Sequence, residues 1–342
     1  MVRYIPMIQQ NRKNRIFLWA LISALLIGAA ATAFFLLRPK TPDANALLAQ
    51  ADTLSKQNLC LWTLIEKEPD QAAYQEQILA NYAALGADPL TIYTLEQTFG
   101  MKAPSAEQIT SEEAGALLNR GGIAGMKKYK DAYSVAQGAD TTYYATADGI
   151  YADYYGLKRR IAAINASHLI AAEHGLYYLN DIQRKVQYIA RDGHKLQTIS
   201  PIDAISFAFY KDRLWVIDTN YDLYCDGTKI QTASKVRSLA ATPDILYAAC
   251  DDESGAATGV LAIDENGTLS MVLPSPALSI FGGADGCLYY INDFGLPMRY
   301  NPITKEASFL NDKKAIAVTY EDQNVYILNE KGKVKKTKST KF

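Results

Sequence analysis

One nine-residue segment occurs twice in this chain, more than a hundred positions apart. "HGLYYLNDI" begins at His174 and "GCLYYINDF" begins at Gly286. Each copy has a turn residue, an aliphatic residue, an aromatic residue and then, three positions further on, a polar residue. A recurrence of this kind indicates that one supersecondary unit has been copied along the chain. No other feature of the sequence limits the possible folds as strongly.

Four more segments fit the same pattern, which makes six copies in all. The aromatic position, which we call the anchor, is occupied in the six copies by Tyr151, Tyr177, Trp215, Tyr247, Tyr289 and Tyr326. Successive anchors are 26 to 42 residues apart. An alternating strand precedes each anchor, and tight hairpin turns such as "CDG" and "DENG" follow. These features predict six four-stranded antiparallel sheets in a row, which is a six-bladed β-propeller.

The two ends of this repeat region raise the question of how the ring closes. The 26 residues between Tyr151 and Tyr177 are too few for four strands, so the first blade is predicted to lack its outer strand. The last copy reaches Phe342 after about three strands. Because a closed ring leaves no sheet edge exposed, we expect residues 128–135, "KYKDAYSV", to supply the missing outer strand of the last blade.

The six copies resemble the six-bladed propellers of the YWTD type found in lipoprotein-receptor ectodomains. They are also similar to bacterial surface propellers with repeated "LYYIN" strands. The resemblance covers residues 128–342, although no copy spells YWTD and "LWVID" from Leu214 comes nearest. The resemblance implies a surface that binds proteins or carbohydrates rather than one that performs a reaction.

Residues 16–37, "IFLWALISALLIGAAATAFFLL", contain no charged residue. A helix of this length crosses the roughly 30 Å hydrocarbon layer of a bilayer. A cleaved signal peptide is the alternative, because "ATA" from Ala31 resembles a cleavage site. However, the run exceeds the roughly 7–15 apolar residues of a signal peptide. We therefore expect an uncleaved transmembrane anchor.

The basic residues around this span indicate its orientation. Four of them precede it, whereas only Arg38 and Lys40 follow closely. Positively charged flanks remain in the cytoplasm, which places residues 1–15 there and the rest of the chain outside. The sequence thus predicts a single-pass protein of the cell membrane with extracytoplasmic C-terminal domains.

Residues 44–119 are predicted to form a helical module, because apolar residues recur there at helical spacing. "LWTLIE" from Leu61 is echoed 31 residues later by "IYTLEQ" from Ile92. Paired helices with this period resemble tetratricopeptide repeats, whose unit is roughly 34 residues, and an irregular helical bundle is an equal alternative. A further helical stretch is expected within "SAEQITSEEAGALLNR" from Ser105, with "GGIAG" as a hinge to the propeller at residues 128–342.

Composition excludes some classes of function. The chain has 35 basic and 36 acidic residues, so it has no general attraction to nucleic acid. Its four cysteines form no C-x-x-C pair, which favours buried free thiols and leaves a Cys225–Cys250 bridge as a weaker alternative. The sequence contains no familiar catalytic motif. We therefore expect a protein without enzymatic activity, cofactor or metal.

Polar residues follow the anchors, at the ends of the second strands. As ligand-binding candidates we select Asp218, Asp251, Asp252, Glu253, Asn292 and Asp293. Asn and Asp at such positions commonly cap their own loops, and the alternative is a ring of acceptors around the central channel. The cluster from Asp251 to Glu253 lies in an inserted loop, where function often resides.

The leading hypothesis is a non-enzymatic extracytoplasmic binding or scaffold protein of a cell-envelope assembly. It would dock partners through its helical module and its propeller face. The expected partner is a protein in or near the membrane, with cell-envelope carbohydrate as a further candidate. One alternative is a carbohydrate-active enzyme that uses the propeller funnel, which would need converging carboxylates. Another is a ligand sensor that signals through the anchor.

Overall fold

A computed structural model of the chain describes residues 42–106, 113–129 and 131–338. The predicted cytoplasmic segment 1–15 and transmembrane segment 16–37 lie outside these residues and stay predictions. Within the described part, none of the helices has the length and apolar character needed to cross a bilayer. From Ala44 onward the chain forms one compact unit.

Four short helices open the described chain. They are α1 (Ala44–Gln50), α2 (Leu54–Lys67), α3 (Ala72–Ala84) and α4 (Pro89–Phe99). The Thr53 side chain caps α2 by accepting a hydrogen bond from the N–H of Lys56. Gly100 ends α4 in the left-handed conformation that glycine adopts readily. Successive helices pack against one another around a shared apolar core.

The remaining described chain contains 24 strands in six antiparallel sheets. Blade 1 contains β2 (Ser134–Gln137), β3 (Thr141–Thr146), β4 (Gly149–Tyr154) and β5 (Leu157–Ala162); blade 2 contains β6 (Ala166–Ala172), β7 (Gly175–Asn180), β8 (Lys185–Ala190) and β9 (Leu196–Thr198), with β1 (Leu117–Asn119) added beside β6; blade 3 contains β10 (Ala204–Tyr210), β11 (Arg213–Asp218), β12 (Leu223–Cys225) and β13 (Thr228–Ile230). Blade 4 contains β14 (Lys235–Ala241), β15 (Leu246–Asp251), β16 (Ala257–Ile263) and β17 (Leu269–Leu273); blade 5 contains β18 (Ala277–Gly282), β19 (Leu288–Asn292), β20 (Pro297–Asn301) and β21 (Glu306–Phe309); blade 6 contains β22 (Ala317–Glu321), β23 (Asn324–Leu328) and β24 (Val334–Lys338).

The six-bladed propeller predicted from the repeats is confirmed. Five of the predicted anchors, from Tyr177 to Tyr326, lie on the strand that follows the innermost strand of their blade's repeat. Trp215, Tyr247 and Tyr289 are each 0% exposed. Each of these three packs with residues of the next blade, so the anchors hold neighbouring blades together by burying large aromatic surfaces.

Blade 1 corrects the prediction at the start of the ring. Tyr151 lies on β4, which is the third strand of its sheet, and the second strand β3 carries Tyr143 instead. Tyr143 is 1% exposed and packs against blade 2. The anchor of blade 1 is therefore Tyr143, which lies 34 residues before Tyr177. This blade has all four strands, and the prediction that it lacks its outer strand was wrong.

The predicted closure of the ring was also wrong. Residues 134–137, which overlap the segment expected to complete the last blade, form the innermost strand of blade 1. Blade 6 has three strands within the described residues. The gap between blades 6 and 1 is filled instead by residues 123–129, which we call the closing segment. This segment contains a single 3-10 turn from Ala124 to Lys127.

The closing segment contacts both of the blades that it joins. The Glu321 carboxylate of blade 6 accepts hydrogen bonds from the backbone N–H groups of Ile123, at 2.9 Å, and Ala124, at 3.1 Å. At the other end, the ring of Tyr129 stacks on that of Tyr144 in blade 1, with centroids 4.2 Å apart. The same Glu321 oxygen accepts from the Thr319 hydroxyl at 2.7 Å. The ring thus closes through polar, apolar and aromatic contacts and one antiparallel bridge between Gly122 and Val135, rather than through an extended shared sheet.

Residues 113–122, which we call the channel segment, pass along the inside of the ring. A helix was expected here, but its described residues contain β1, which pairs antiparallel with the innermost strand of blade 2. Gly121 lies so close to the Leu169 carbonyl oxygen that an added Cβ would be 2.1 Å from it. Only glycine therefore allows the chain to lie against blade 2 at this point.

The two faces of the disc differ. One, the hairpin face, carries the turns between the first and second strands; the other, the loop face, carries the loops between the second and third. The helices contact the hairpin face over blades 1 and 2, where Lys56 pairs with Asp140 at 2.7 Å. The Tyr82 hydroxyl donates to the Asp192 carbonyl at 3.2 Å. These contacts leave the loop face open among the described residues.

Candidate functional site

The predicted site residues lie on the loop face, and several of them cap their own loops. The Asp218 carboxylate accepts hydrogen bonds from the backbone N–H groups of Asn220, at 2.9 Å, and Asp222, at 2.8 Å. The side-chain oxygen of Asn292 accepts two such bonds within its own loop. Short polar side chains hold loops in this way because they replace missing backbone partners. The capping interpretation therefore accounts for both residues.

The inserted loop of blade 4 behaves similarly. Asp252 accepts from the backbone N–H groups of Ser254 and Ala256, each at 2.9 Å. The Ser254 hydroxyl is the largest cause of the lowered pKa of Asp252. Glu253 and Asp293 are exposed on their loops. The structure therefore spreads these candidates around the loop face rather than bringing them to one point.

Asp251 differs, because it is buried and pairs with Arg237. The distance from its Oδ1 to Arg237 Nη1 is 2.6 Å, and Arg237 also donates to the Ala277 carbonyl. This pair links the second strand of blade 4 to the innermost strands of blades 4 and 5. Arg237 lines a cavity in the central channel, so Asp251 supports the wall of that cavity.

This cavity, which we call the loop-face cavity, has a volume of about 320 Å³. Its lining includes Ser134, Ser206, Ser238 and Ser279, which lie near the beginnings of four innermost strands. The beginnings of these strands lie at the loop face. "A-x-S" precedes or opens three of these strands, a signal that could have indicated the cavity, although so short a pattern has little specificity.

Two of these serines have hydroxyl groups that are buried and make no hydrogen bond within the described residues. They are Ser206 and Ser238. In both strands the pairing with the second strand shifts just before the serine, which marks a β-bulge, and bulges re-aim side chains. A buried unpaired polar group costs about 1–3 kcal/mol, so a bound acceptor that reached these hydroxyls would recover free energy.

Arg120 of the channel segment separates two cavities. Its Nη2 donates across the channel to the Thr242 carbonyl of blade 4 at 3.2 Å. Burial lowers the pKa of Arg120 to about 10, so the side chain stays positively charged at neutral pH. Arg120 lines both the loop-face cavity and a second cavity of about 250 Å³ toward the hairpin face. Among the described residues lining these cavities there is no Asp or Glu.

His168 is the third basic residue of the loop-face cavity. Its backbone has a φ of 51°, which is unusual for a residue other than glycine. Its Nδ1 lies 3.1 Å from the Ser167 hydroxyl, which donates to Asp181 at 2.6 Å. Protein atoms around the channel lower the pKa of His168 by desolvation. Its side chain is exposed, and the permanent charge of the cavity comes from its two arginines.

The four cysteines are free and buried, as the sequence indicated. Burial raises the pKa of Cys60, Cys225 and Cys250 to about 11, and a protonated buried thiol is unreactive. In the part of the chain that the structure describes, no cluster of three His, Cys, Asp or Glu residues could hold a metal ion.

Comparisons with known proteins reveal likeness of structure only. No protein-family model matches the chain, and no curated protein sequence matches it. The WD40 ectodomain of the receptor kinase ACR4 from Arabidopsis thaliana is 12% identical over 58% of this chain and 75% of its own, with a TM-score of 0.42. Apo AztD from Citrobacter koseri is 12% identical over 60% of this chain and 70% of its own, with a TM-score of 0.44. The extracellular domain of BT3049 from B. thetaiotaomicron is 14% identical over 69% of this chain and 35% of its own, with a TM-score of 0.45. Likeness at this level carries no argument about function, and the propeller assignment rests on the six sheets themselves.

Proposed function

We propose that this chain is a non-enzymatic binding protein that presents the loop face of its propeller to a partner protein. In this proposal residues 16–37 anchor it in the cell membrane, and the helices and propeller lie outside the cytoplasm. The observation that carries the proposal is that the two faces of the propeller have different surroundings. The helices contact the hairpin face, and the open loop face has exposed apolar side chains.

Six large apolar residues surround the centre of the loop face, and we call them the rim. They are Tyr133, Ile182, Tyr221, Leu278, Phe294 and Ile316, with exposed fractions of 39% to 74%. Ile182, Tyr221 and Phe294 lie in loops between second and third strands, and the other three lie at the beginnings of innermost strands. Exposed apolar groups gathered on one face are typical of protein interaction sites.

The chemistry of the loop face favours a protein partner. Acidic Glu253 and Asp293 are exposed beside the apolar rim, a combination that suits a partner surface with apolar and basic side chains. Only a few residues separate the predicted anchor from α1, so the partner would lie in or near the same membrane. Exposed Leu90 and Tyr93 on α4 offer a second docking surface, in line with a tetratricopeptide-like role for the helices.

The alternative of a carbohydrate-active enzyme gains no support from this geometry. Glycoside hydrolysis needs two carboxyl groups that flank the reacting bond. The described residues that line the two channel cavities supply arginines, serines and apolar groups. We therefore do not advance a second function, and the sensor hypothesis has no observation of its own.

A pair of variants in blade 5 tests the proposal. A photo-crosslinking amino acid is placed at Phe294, on the loop face, or at Ile303, which is 90% exposed on the turn between β20 and β21 at the hairpin face. With the full chain in its native membrane, we expect the Phe294 position to crosslink one discrete protein and the Ile303 position not to. Phe294→Asp should reduce recovery of that protein at least tenfold, and Ile303→Asp should not. Equal crosslinking from both positions, or none from Phe294, would contradict the proposal.

The orientation is tested separately. In sealed cells with an intact membrane, a protease added outside should degrade the propeller of the full chain, and a tag before residue 16 should be protected. Degradation of the tag with protection of the propeller would reverse the assigned orientation.

A further inference from the structure

We propose that the loop-face cavity binds a small organic acid as its anion, with Arg120 as the charge partner and Ser206 and Ser238 as hydrogen-bond donors. The ligand class is a monocarboxylate with a compact apolar body. This inference does not depend on the proposed protein partner, because Arg120, Ser206 and Ser238 line the cavity and are not rim residues, and of the six rim residues only Leu278 also lines the cavity.

Arg120 supplies the first argument. Its one hydrogen bond among those described is to a neutral carbonyl, that of Thr242, at 3.2 Å. Arg237, in contrast, is paired with Asp251 at 2.6 Å. A cation removed from water without a counter-charge is unfavourable, and the described lining contains no carboxylate to supply one. One unpaired positive charge in the cavity calls for one negative charge in the ligand.

The serines supply the second argument, which does not depend on charge. Ser206 is 2% exposed, and its hydroxyl and that of Ser238 are buried without a partner in the described residues. They lie on the innermost strands of neighbouring blades, β10 and β14, and both line the cavity. A carboxylate accepts several hydrogen bonds at once, and bonds to a charged acceptor are stronger than those between neutral groups.

The rest of the lining indicates the body of the ligand. Leu169, Phe207, Leu239, Leu278 and Ile280 supply apolar side chains around the polar groups. A volume of about 320 Å³ is at the lower end of the roughly 300–1,000 Å³ of small-molecule sites. Such a cavity suits an aromatic or branched aliphatic acid. A strongly hydrated dianion such as phosphate would leave most of this apolar wall unused.

The test is calorimetric titration of the purified full chain in detergent with benzoate and 3-phenylpropionate, each compared with its neutral amide. We expect saturable binding of at least one acid and at least tenfold weaker binding of the corresponding amide. Arg120→Gln should weaken acid binding at least tenfold without affecting the amide. Ser206→Ala should weaken it about threefold to tenfold, the equivalent of one hydrogen bond. Arg160→Gln, at an exposed arginine on blade 1, is the control and should bind like the wild type.

Arg120→Lys is a control for a folding defect, because it keeps the positive charge but loses the planar arrangement of hydrogen-bond donors. With a wild-type circular dichroism spectrum, it should bind the acid with an affinity between those of the wild type and Arg120→Gln. Three results would overturn the inference. They are equal binding of acid and amide, unchanged acid binding by Arg120→Gln, and no binding of either acid at concentrations up to about 10 mM, which corresponds to about 2.7 kcal/mol of affinity. Peptides that bind through a free C-terminal carboxylate more tightly than either acid would also overturn it. None of these results depends on crosslinking from Phe294, so the two proposals fail separately.

Discussion

At the scale of single residues, one carboxylate contributes to the closure of the ring. Glu321 of blade 6 accepts two backbone N–H groups from the closing segment and the Thr319 hydroxyl from its own strand. Burial outweighs these bonds and raises the pKa of Glu321 above its ordinary value of 4.5. Because the folded-state pKa is the higher one, folding favours the protonated carboxyl. This contribution to stability is complete below the ordinary pKa and is lost as the pH rises through the raised value.

Glu321→Gln keeps an oxygen acceptor but cannot ionise, so it removes this dependence of stability on pH. We expect the free energy of unfolding of the wild type to fall, relative to that of the variant, as the pH rises upward from about 4.5, the reference value. Urea denaturation at a series of pH values, from roughly 4, near the unfolded-state pKa of glutamate, to roughly 8, measures the difference. Glu306→Gln, at an exposed glutamate of blade 5, should show no such trend. A difference that grows with pH in the opposite direction would contradict the prediction.

Removing the acceptor altogether should have a larger effect. Glu321→Ala leaves the N–H groups of Ile123 and Ala124 without their partner. Each lost bond costs about 1 kcal/mol or more, so the variant should be less stable by about 2–3 kcal/mol. Folding and unfolding rates plotted against urea concentration show when the contact forms, because a contact that forms late in folding changes mainly the unfolding rate.

The candidate residues show what a sequence can and cannot reveal at this scale. The capping roles of Asp218 and Asn292 follow from local turn preferences, which act within four residues and can be read directly. Arg120 and Ser206 were missed, because an arginine and a serine 86 positions apart acquire a shared role only when the ring has formed. The common residue types that line the cavity give no local signal.

At the scale of secondary-structure elements, the anchor strands explain why the propeller could be predicted and blade 1 could not. In five copies an aliphatic residue precedes the aromatic anchor, but in β3 the residue before Tyr143 is Thr142. The "DGIY" segment ending at Tyr151 fits the pattern better, although it lies on the third strand. Likewise β1 has three residues, too few for a period-2 pattern, and its sequence "LLN" is compatible with a helix.

The corrected assignment of the anchor is testable by a pair of substitutions. Tyr143→Ala should destabilise the protein by about 3–5 kcal/mol, because it opens a cavity between blades 1 and 2. Tyr151→Ala should cost only about 1 kcal/mol, since that ring is half-buried and stacks on Tyr144 at 5.1 Å. The measurement is the midpoint of urea denaturation of each variant. Equal losses would restore Tyr151 as an anchor.

At the scale of the whole molecule, the helices and the propeller are joined by buried polar contacts. The Asn58 amide donates to the Asp192 carboxylate in the turn between β8 and β9, and the Asn58 oxygen accepts from Asn81 at 2.9 Å. Asn58 is 0% and Asp192 2% exposed. Apolar residues of α2 share a core with blades 1 and 2. Such an interface is too buried for the helices to move as an independent domain.

Asn58→Ala tests this coupling, because it leaves a buried carboxylate and a buried amide short of a partner. We expect a loss of about 3 kcal/mol and faster hydrogen exchange in α2 and in blade 2 together. Glu76→Ala, at an exposed position on α3, provides the comparison and should leave exchange unchanged. Faster exchange in α2 with unchanged exchange in blade 2 would show that the two parts unfold independently.

The channel segment has a consequence for how the protein is built. The ribosome completes the channel segment before it makes any blade. The last blade to be made carries Glu321, which binds the closing segment. The segment that lies inside the ring is therefore synthesised after the helices and before the blades that surround it. A version that began at residue 123 would have an empty hub, and the two cavities on either side of Arg120 would become one open tunnel.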